Sequence, residues 1–114
     1  MSSDHLPIDV SSDGGITVVA PRGDIDLARS PVLRQSLQQA QASRPKRLVI
    51  DLAQVDYMDS SGVATLVEAL QAAQANATAM ILCNLQNRVQ SIFEIARLDT
   101  IFTIQQDLRD AISG

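Results

Sequence analysis

The amino-acid sequence predicts one α/β (α+β) domain spanning residues 1–114, with a mixed β-sheet that is antiparallel at its start and carries helices in crossover connections. Three observations lead there. Two β-rich segments flank a Gly-Gly pair, short apolar runs then alternate with stretches of helical period, and 114 residues are enough for one continuous core but too few for two. Alternating strands and helices need crossover connections, and crossovers make neighbouring strands parallel.

Taken in order, Ile8 to Val10 and Ile16 to Ala20 are strands around Asp13-Gly14-Gly15, where glycines supply the positive φ of a tight hairpin turn. Pro21 ends easy ladder pairing. Gly23-Asp24-Ile25-Asp26 then leads to Ser30-Pro31, a helix cap followed by the residue best tolerated at the first helical position. The helix runs from about Pro31 to Ala42, with Leu33, Leu37 and Ala40 on its apolar face and the glutamines and Arg34 on the other. Arg44-Pro45 stops it.

Leu48 to Leu52 is a nearly unbroken apolar run, which suits a central strand covered on both faces. Val63, Leu66, Val67 and Leu70 fall on one helical stripe, and alanines carry that helix to about Ala75. Met80 to Cys83 is a strand. Leu85, Val89, Ile92, Phe93 and Ala96 mark a third helix, Thr100 to Ile104 a last strand, and Gln106 to Ile112 a closing helix.

Apolar residues make up 46% of the chain and Tyr57, Phe93 and Phe102 are its only aromatics, so aliphatic packing builds the core. A net charge of −4 and a pI near 4.7, with Lys46 the only lysine, argue against a nucleic-acid or anionic-membrane surface. No apolar run approaches the roughly 20 residues of a membrane helix. Met1-Ser2-Ser3-Asp4-His5 lacks the pattern of a secretory signal, and the lone Cys83 has no partner for an internal disulfide; both favour a reducing cytoplasm.

The stretch richest in chemistry is Asp56-Tyr57-Met58-Asp59-Ser60-Ser61-Gly62, a strand-to-helix loop at the end of the sheet where α/β proteins place their sites. Two readings stay open. The serines are helix caps, or one of them is a phosphorylation site beside acidic neighbours, where about −1.5 to −2 added charges would penalise a docked partner. Gly62 weakens the first helical turn relative to alanine, which suits a close approach by another chain.

Gly23-Asp24-Ile25-Asp26, "ARSPVL" from Ala28, Leu48 to Leu52, "YMDSSG" from Tyr57 and "NRVQSIFEIARLDTIF" from Asn87 together resemble the STAS domain family of anti-sigma factor antagonists along nearly the whole chain. The resemblance implies a STAS-like fold and a bacterial partner-switching protein. It implies phosphorylation of Ser60 by an ATP-dependent serine kinase that is itself the anti-sigma factor, and dephosphorylation by a PP2C-type phosphatase. Asp24, Asp26, Asp59, Ser60, Ser61 and Gly62 then form the partner-facing surface, with Ser61 capping the helix or orienting Ser60 and Asp59 positioning the hydroxyl. Val63 to Glu68 departs from the family's usual continuation and resembles stand-alone members associated with lipid-importing ABC transporters. The alternative is therefore a transporter subunit that holds permease or ATPase constitutively.

Other chemistries fit less well. A serine hydrolase needs a base near its nucleophile, and the only histidine is His5. A phospho-aspartate receiver would use Asp24, Asp26, Asp56 and Asp59, yet Lys46 precedes its strand at the opposite end of the sheet. Cys83 reads as a buried inert thiol and Met58 as core. Tyr57 props the loop or faces a partner, and Arg22 and Arg29 are available to an acidic one. No catalytic residue, cofactor or metal is assigned.

Overall fold

The computed structural model describes residues 5–113; Met1–Asp4, on which most of the signal-peptide reading fell, lie outside them. β1 (Ile8–Asp13) and β2 (Ile16–Pro21) form the expected antiparallel hairpin. Gly14 at φ 60° and Gly15 at φ 84° make its turn, a conformation that glycine adopts without strain. β3 (Arg47–Asp51), β4 (Ala79–Cys83) and β5 (Thr103–Gln105) then add in parallel, giving the strand order β1-β2-β3-β4-β5.

The connections are α1 (Ser30–Ala42), α2 (Ser60–Ala75) and α3 (Asn87–Ile95), and α4 (Leu108–Ser113) closes the chain. Each crossover steps one strand in the same direction, so the right-handed rule puts α1, α2 and α3 on one face of the sheet. The main core lies there, with Val19, Leu48, Ile50 and Leu82 from the strands against Leu33, Leu37, Leu66, Leu70, Val89 and Phe93 from the helices. The period-2 alternation sends Val18, Val49 and Ile81, register partners across three strands, to the opposite face, where α4 covers them through Leu108 and Ala111.

Three sequence expectations change. Ser30 does not cap α1 but is its first residue, and the entry turn is held instead by Asp26, whose carboxylate accepts the Arg29 amide at 3.0 Å and whose carbonyl accepts the Ser30 amide at 2.8 Å. Gln41 is buried, because it shares the stripe of Leu33, Leu37 and Ala40. The last strand begins at Thr103, since Leu98–Thr100 is a turn of 3₁₀ helix to which Phe102 is tied by its amide on the Leu98 carbonyl. Phe102 packs edge-on against Phe93 at 5.4 Å between ring centres, and that buried contact sets where the strand can start.

Candidate functional site

Parallel pairing of β2 and β3 outlasts the strands themselves. Arg22 bridges Gln54 and Ile25 bridges Met58, so the segment after β2 runs beside the segment after β3. The rungs are the Gly23 amide to the Gln54 carbonyl at 2.9 Å, the Ile25 amide to the Tyr57 carbonyl at 3.0 Å, and the Asp59 amide to the Ile25 carbonyl at 3.1 Å. Ile25 and Met58 are buried as the anchors of this ladder. Asp24–Asp26 and Asp56–Ser61, distant in sequence, are thereby brought together at the carboxyl ends of two adjacent strands.

Asp59 caps α2. Its backbone is extended, and its carboxylate accepts the Ser61 amide at 2.9 Å, the Gly62 amide at 3.4 Å and the Ser61 hydroxyl at 2.5 Å. The Ser61 hydroxyl bond, with the amides behind it, holds the Asp59 carboxyl below its usual range, against a smaller opposing effect of burial. The expectation that Ser61 caps the helix is thus corrected. The aspartate two positions earlier accepts the Ser61 and Gly62 amides with a full negative charge, and Ser61 serves as donor to it.

Ser60 is the first residue of α2 and is exposed, and its hydroxyl has no hydrogen-bond partner among the described residues. Asp59 therefore organises Ser61 and the helix start, and leaves Ser60 projecting from a fixed backbone. Gly62 is explained by this chain itself and not by room for another. A Cβ there would come within 2.6 Å of Met58 Cγ, 2.8 Å of Ile25 Cγ2 and 3.1 Å of the Ile25 carbonyl oxygen, so only glycine lets α2 seat on the ladder.

The acidic residues divide by role. Asp26 is half-buried and committed to Arg29, whose Nη1 donates to it at 2.6 Å, as well as to the turn into α1. Asp24 and Asp56 are exposed and without an ion pair among the described residues, while Arg22 is paired with Asp9 at 3.3 Å. The surface around Ser60 is consequently acidic. Two apolar side chains stand on it, Leu27 at 75% exposure and Tyr57 at 47%. Tyr57 was legible as a partner-facing candidate, but Leu27 was not; it is a second large aliphatic residue two positions after Ile25, and only the fold shows that Ile25 is buried while Leu27 is exposed.

Asp24, Asp26, Asp56 and Asp59 do not gather into a cation-binding cluster, and no group of three or more metal-ligating side chains occurs among the described residues. Cys83 is buried at the end of β4, where burial first and then the charges of Asp51 and Asp107 push its thiol up to about 12. No helix among the described residues is long and apolar enough to cross a membrane.

The STAS domain family model matches residues 7–111. An anti-sigma-B factor antagonist of Listeria monocytogenes is 32% identical over 83 residues, which span 73% of each chain. The anti-sigma-F factor antagonist RsfB of Mycobacterium tuberculosis is 25% identical over 111 residues, 97% of this chain and 90% of that one. Among solved structures, an anti-sigma factor antagonist from Mycobacterium paratuberculosis superposes with a TM-score of 0.88 at 25% identity, covering 98% of this chain and 95% of its own.

Proposed function

Because the chain belongs to the STAS domain family, we propose that it is an anti-sigma factor antagonist, a cytoplasmic regulatory binding protein and not an enzyme. Unphosphorylated, it binds an anti-sigma factor that is also an ATP-dependent serine kinase. Phosphorylation of Ser60 releases it, and a PP2C-type phosphatase restores binding. Asp24, Asp59, Ser60 and Ser61, with Leu27 and Tyr57 beside them, make up the docking surface.

The observation that carries this reading is the exposed Ser60 hydroxyl on a helix start already capped by Asp59. The Ser60 oxygen attacks the γ-phosphorus of the kinase's ATP, the bond to ADP breaks, and the hydroxyl proton passes to a base of the kinase. The α2 dipole favours the resulting phosphate by about 0.3–1 kcal/mol. Asp24, Asp56 and Asp59 disfavour it, as does any partner surface matched to the acidic, uncharged-serine form. Like-charge juxtaposition at an interface costs several kcal/mol, and each 1.4 kcal/mol is about tenfold in affinity.

The test is immobilised wild-type protein and Ser60→Asp, exposed to lysate of the native source, with bound proteins identified by mass spectrometry. A serine kinase captured by wild type alone supports the switch, and calorimetry with that kinase should then show Ser60→Ala binding and Ser60→Asp not. Equal affinity of the two variants overturns the switch. Recovery of ABC-transporter subunits on both supports instead a constitutive subunit of a lipid importer.

A further inference from the structure

β1 is an outer strand of the sheet, and its six residues, Ile8–Asp13, are paired on one side only. Beyond the register with β2, the Arg22 amide donates to the Pro7 carbonyl at 2.8 Å, which makes that pair a hydrogen-bonded rung. Rungs alternate in an antiparallel ladder, so Asp9, Ser11 and Asp13 are the residues bonded to β2. Pro21, which has no amide, accordingly faces Ile8 in an unbonded pair. The N–H and C=O groups of Ile8, Val10 and Ser12 therefore point away from the sheet, and no described strand lies beyond them.

Edge strands are normally closed to further pairing by lysine, an internal proline, a bulge or a covering element. β1 contains no lysine or proline, and its register with β2 is unbroken over all six residues. Val10 is 52% exposed on the face that carries α1, and on the other face α4 packs on β3, β4 and β5. The far edge offers much less, since β5 has only three residues.

We propose that β1 is a homodimer interface at which two copies of the chain join edge to edge, antiparallel, with Val10 on the two-fold axis. The strand is self-complementary about that residue. Val10 meets Val10 of the second copy and Ile8 meets Ser12, so every outward residue forms a bonded rung. On the opposite face Asp9 meets Ser11 in a close, unbonded pair. The Ser11 hydroxyl has no hydrogen-bond partner among the described residues, and the Asp9 carboxylate, 3.3 Å from Arg22, retains free acceptor positions. In the next allowed register to either side, Asp9 falls opposite Asp9 or opposite Asp13, and like charges directly opposite are unfavourable. The two charges thus select one alignment. The joined sheets run in opposite directions, which places the two Ser60 ends at opposite ends of the dimer, both accessible. A contact made by one strand from each copy is small, so the dimer is weak and reversible.

Sedimentation equilibrium of the full chain, carried to about 1 mM, measures the association. A concentration-dependent dimer is expected, in which hydrogen exchange slows more at the Ile8, Val10 and Ser12 amides than at those of Asp9, Ser11 and Asp13. Val10→Asp, an exposed change that sets like charges across the axis, should weaken the dimer at least about fivefold. Ser11→Lys faces Asp9 of the second copy twice over and should tighten it at least about twofold, a gain that should vanish in an Asp9→Asn background. A chain still monomeric at about 1 mM overturns the proposal and leaves this edge to an extended segment of another protein. A dimer indifferent to Val10→Asp, one weakened by Ser11→Lys, or a gain that survives Asp9→Asn overturns it as well.

Discussion

Replacing Gly62 by alanine should destabilise the protein, although alanine is the better helix former. Gly62 has ordinary helical backbone, so no left-handed conformation is at stake and the effect is steric. The added Cβ would meet Met58 Cγ at 2.6 Å and Ile25 Cγ2 at 2.8 Å, about 1 Å inside the 3.5–4.0 Å optimum for carbon pairs. Neither atom is the free end of a flexible chain, and both residues are fully buried. Overpacking of this kind costs about 1–3 kcal/mol, against which removing a helical glycine returns about 0.5–1 kcal/mol. A net loss of about 1–2 kcal/mol remains, several degrees in Tm for a chain of 114 residues. Urea unfolding followed by circular dichroism measures it, with an unchanged m-value showing that stability alone has moved. In a Met58→Ala background the same change should cost at least about 0.5 kcal/mol less, because one of the clashing atoms is gone. A Gly62→Ala protein as stable as wild type, or a penalty indifferent to Met58, would refute the steric account of this glycine.

Asp59→Ala strips the cap from α2 and should cost about 1–2 kcal/mol in the same unfolding assay, whereas Asp59→Asn keeps an acceptor and should cost less. Because the folded state lowers the Asp59 carboxyl below its unfolded value, its contribution is present above pH about 3.9 and is lost as pH falls through the folded value. The stability gap between wild type and Asp59→Asn should therefore shrink only in acid. Cys83 runs the opposite way: between about pH 8.5 and 12 the unfolded chain gives up the thiol proton while the folded chain keeps it, so stability falls as pH rises, by up to about 1.4 kcal/mol per unit. Cys83→Ala should lack that component of the alkaline slope. In the native protein Cys83 should resist thiol reagents on the timescale of global opening, and rapid labelling at neutral pH would contradict its burial.

The elements best read from sequence are those whose pattern repeats within one segment. The apolar run of Leu48 to Leu52, the stripe of Val63 to Leu70 and the Gly14-Gly15 turn each announce a strand, a helix or a hairpin without reference to the rest of the chain. The elements misread depend on contacts across it. Thr100 lies in a 3₁₀ turn and not a strand because Phe102 packs on Phe93. Gln41 is buried by its stripe against its own polarity, and Gly62 is required by Ile25, 37 positions away in sequence and adjacent in space. At the site, the residue types were legible and their division of labour was not. Ser and Asp both cap helices, and only the bonds to Ser61 and Gly62 distinguish Asp59 as the cap from Ser60 as the free hydroxyl.

That division bears on how one phosphate would act. A helix N-terminus offers backbone amides to an anion, and a phosphoserine could in principle reorganise α2 by taking them over. Here the Ser61 and Gly62 amides are already bonded to a carboxylate that the Ser61 hydroxyl also stabilises, and the loop is pinned beneath by the Ile25–Met58 rung and the close seat of Gly62. Under the proposed function a phosphate on Ser60 therefore gains little by displacing Asp59 and remains outside the cap, where it adds charge and bulk to a surface whose backbone stays in place. The signal is then carried by what the partner meets at Asp24, Leu27, Tyr57 and Ser60. The proposed docking surface favours rigidity, which the paired segments after β2 and β3 provide, and the glycine at position 62 is what allows α2 to be built directly upon them.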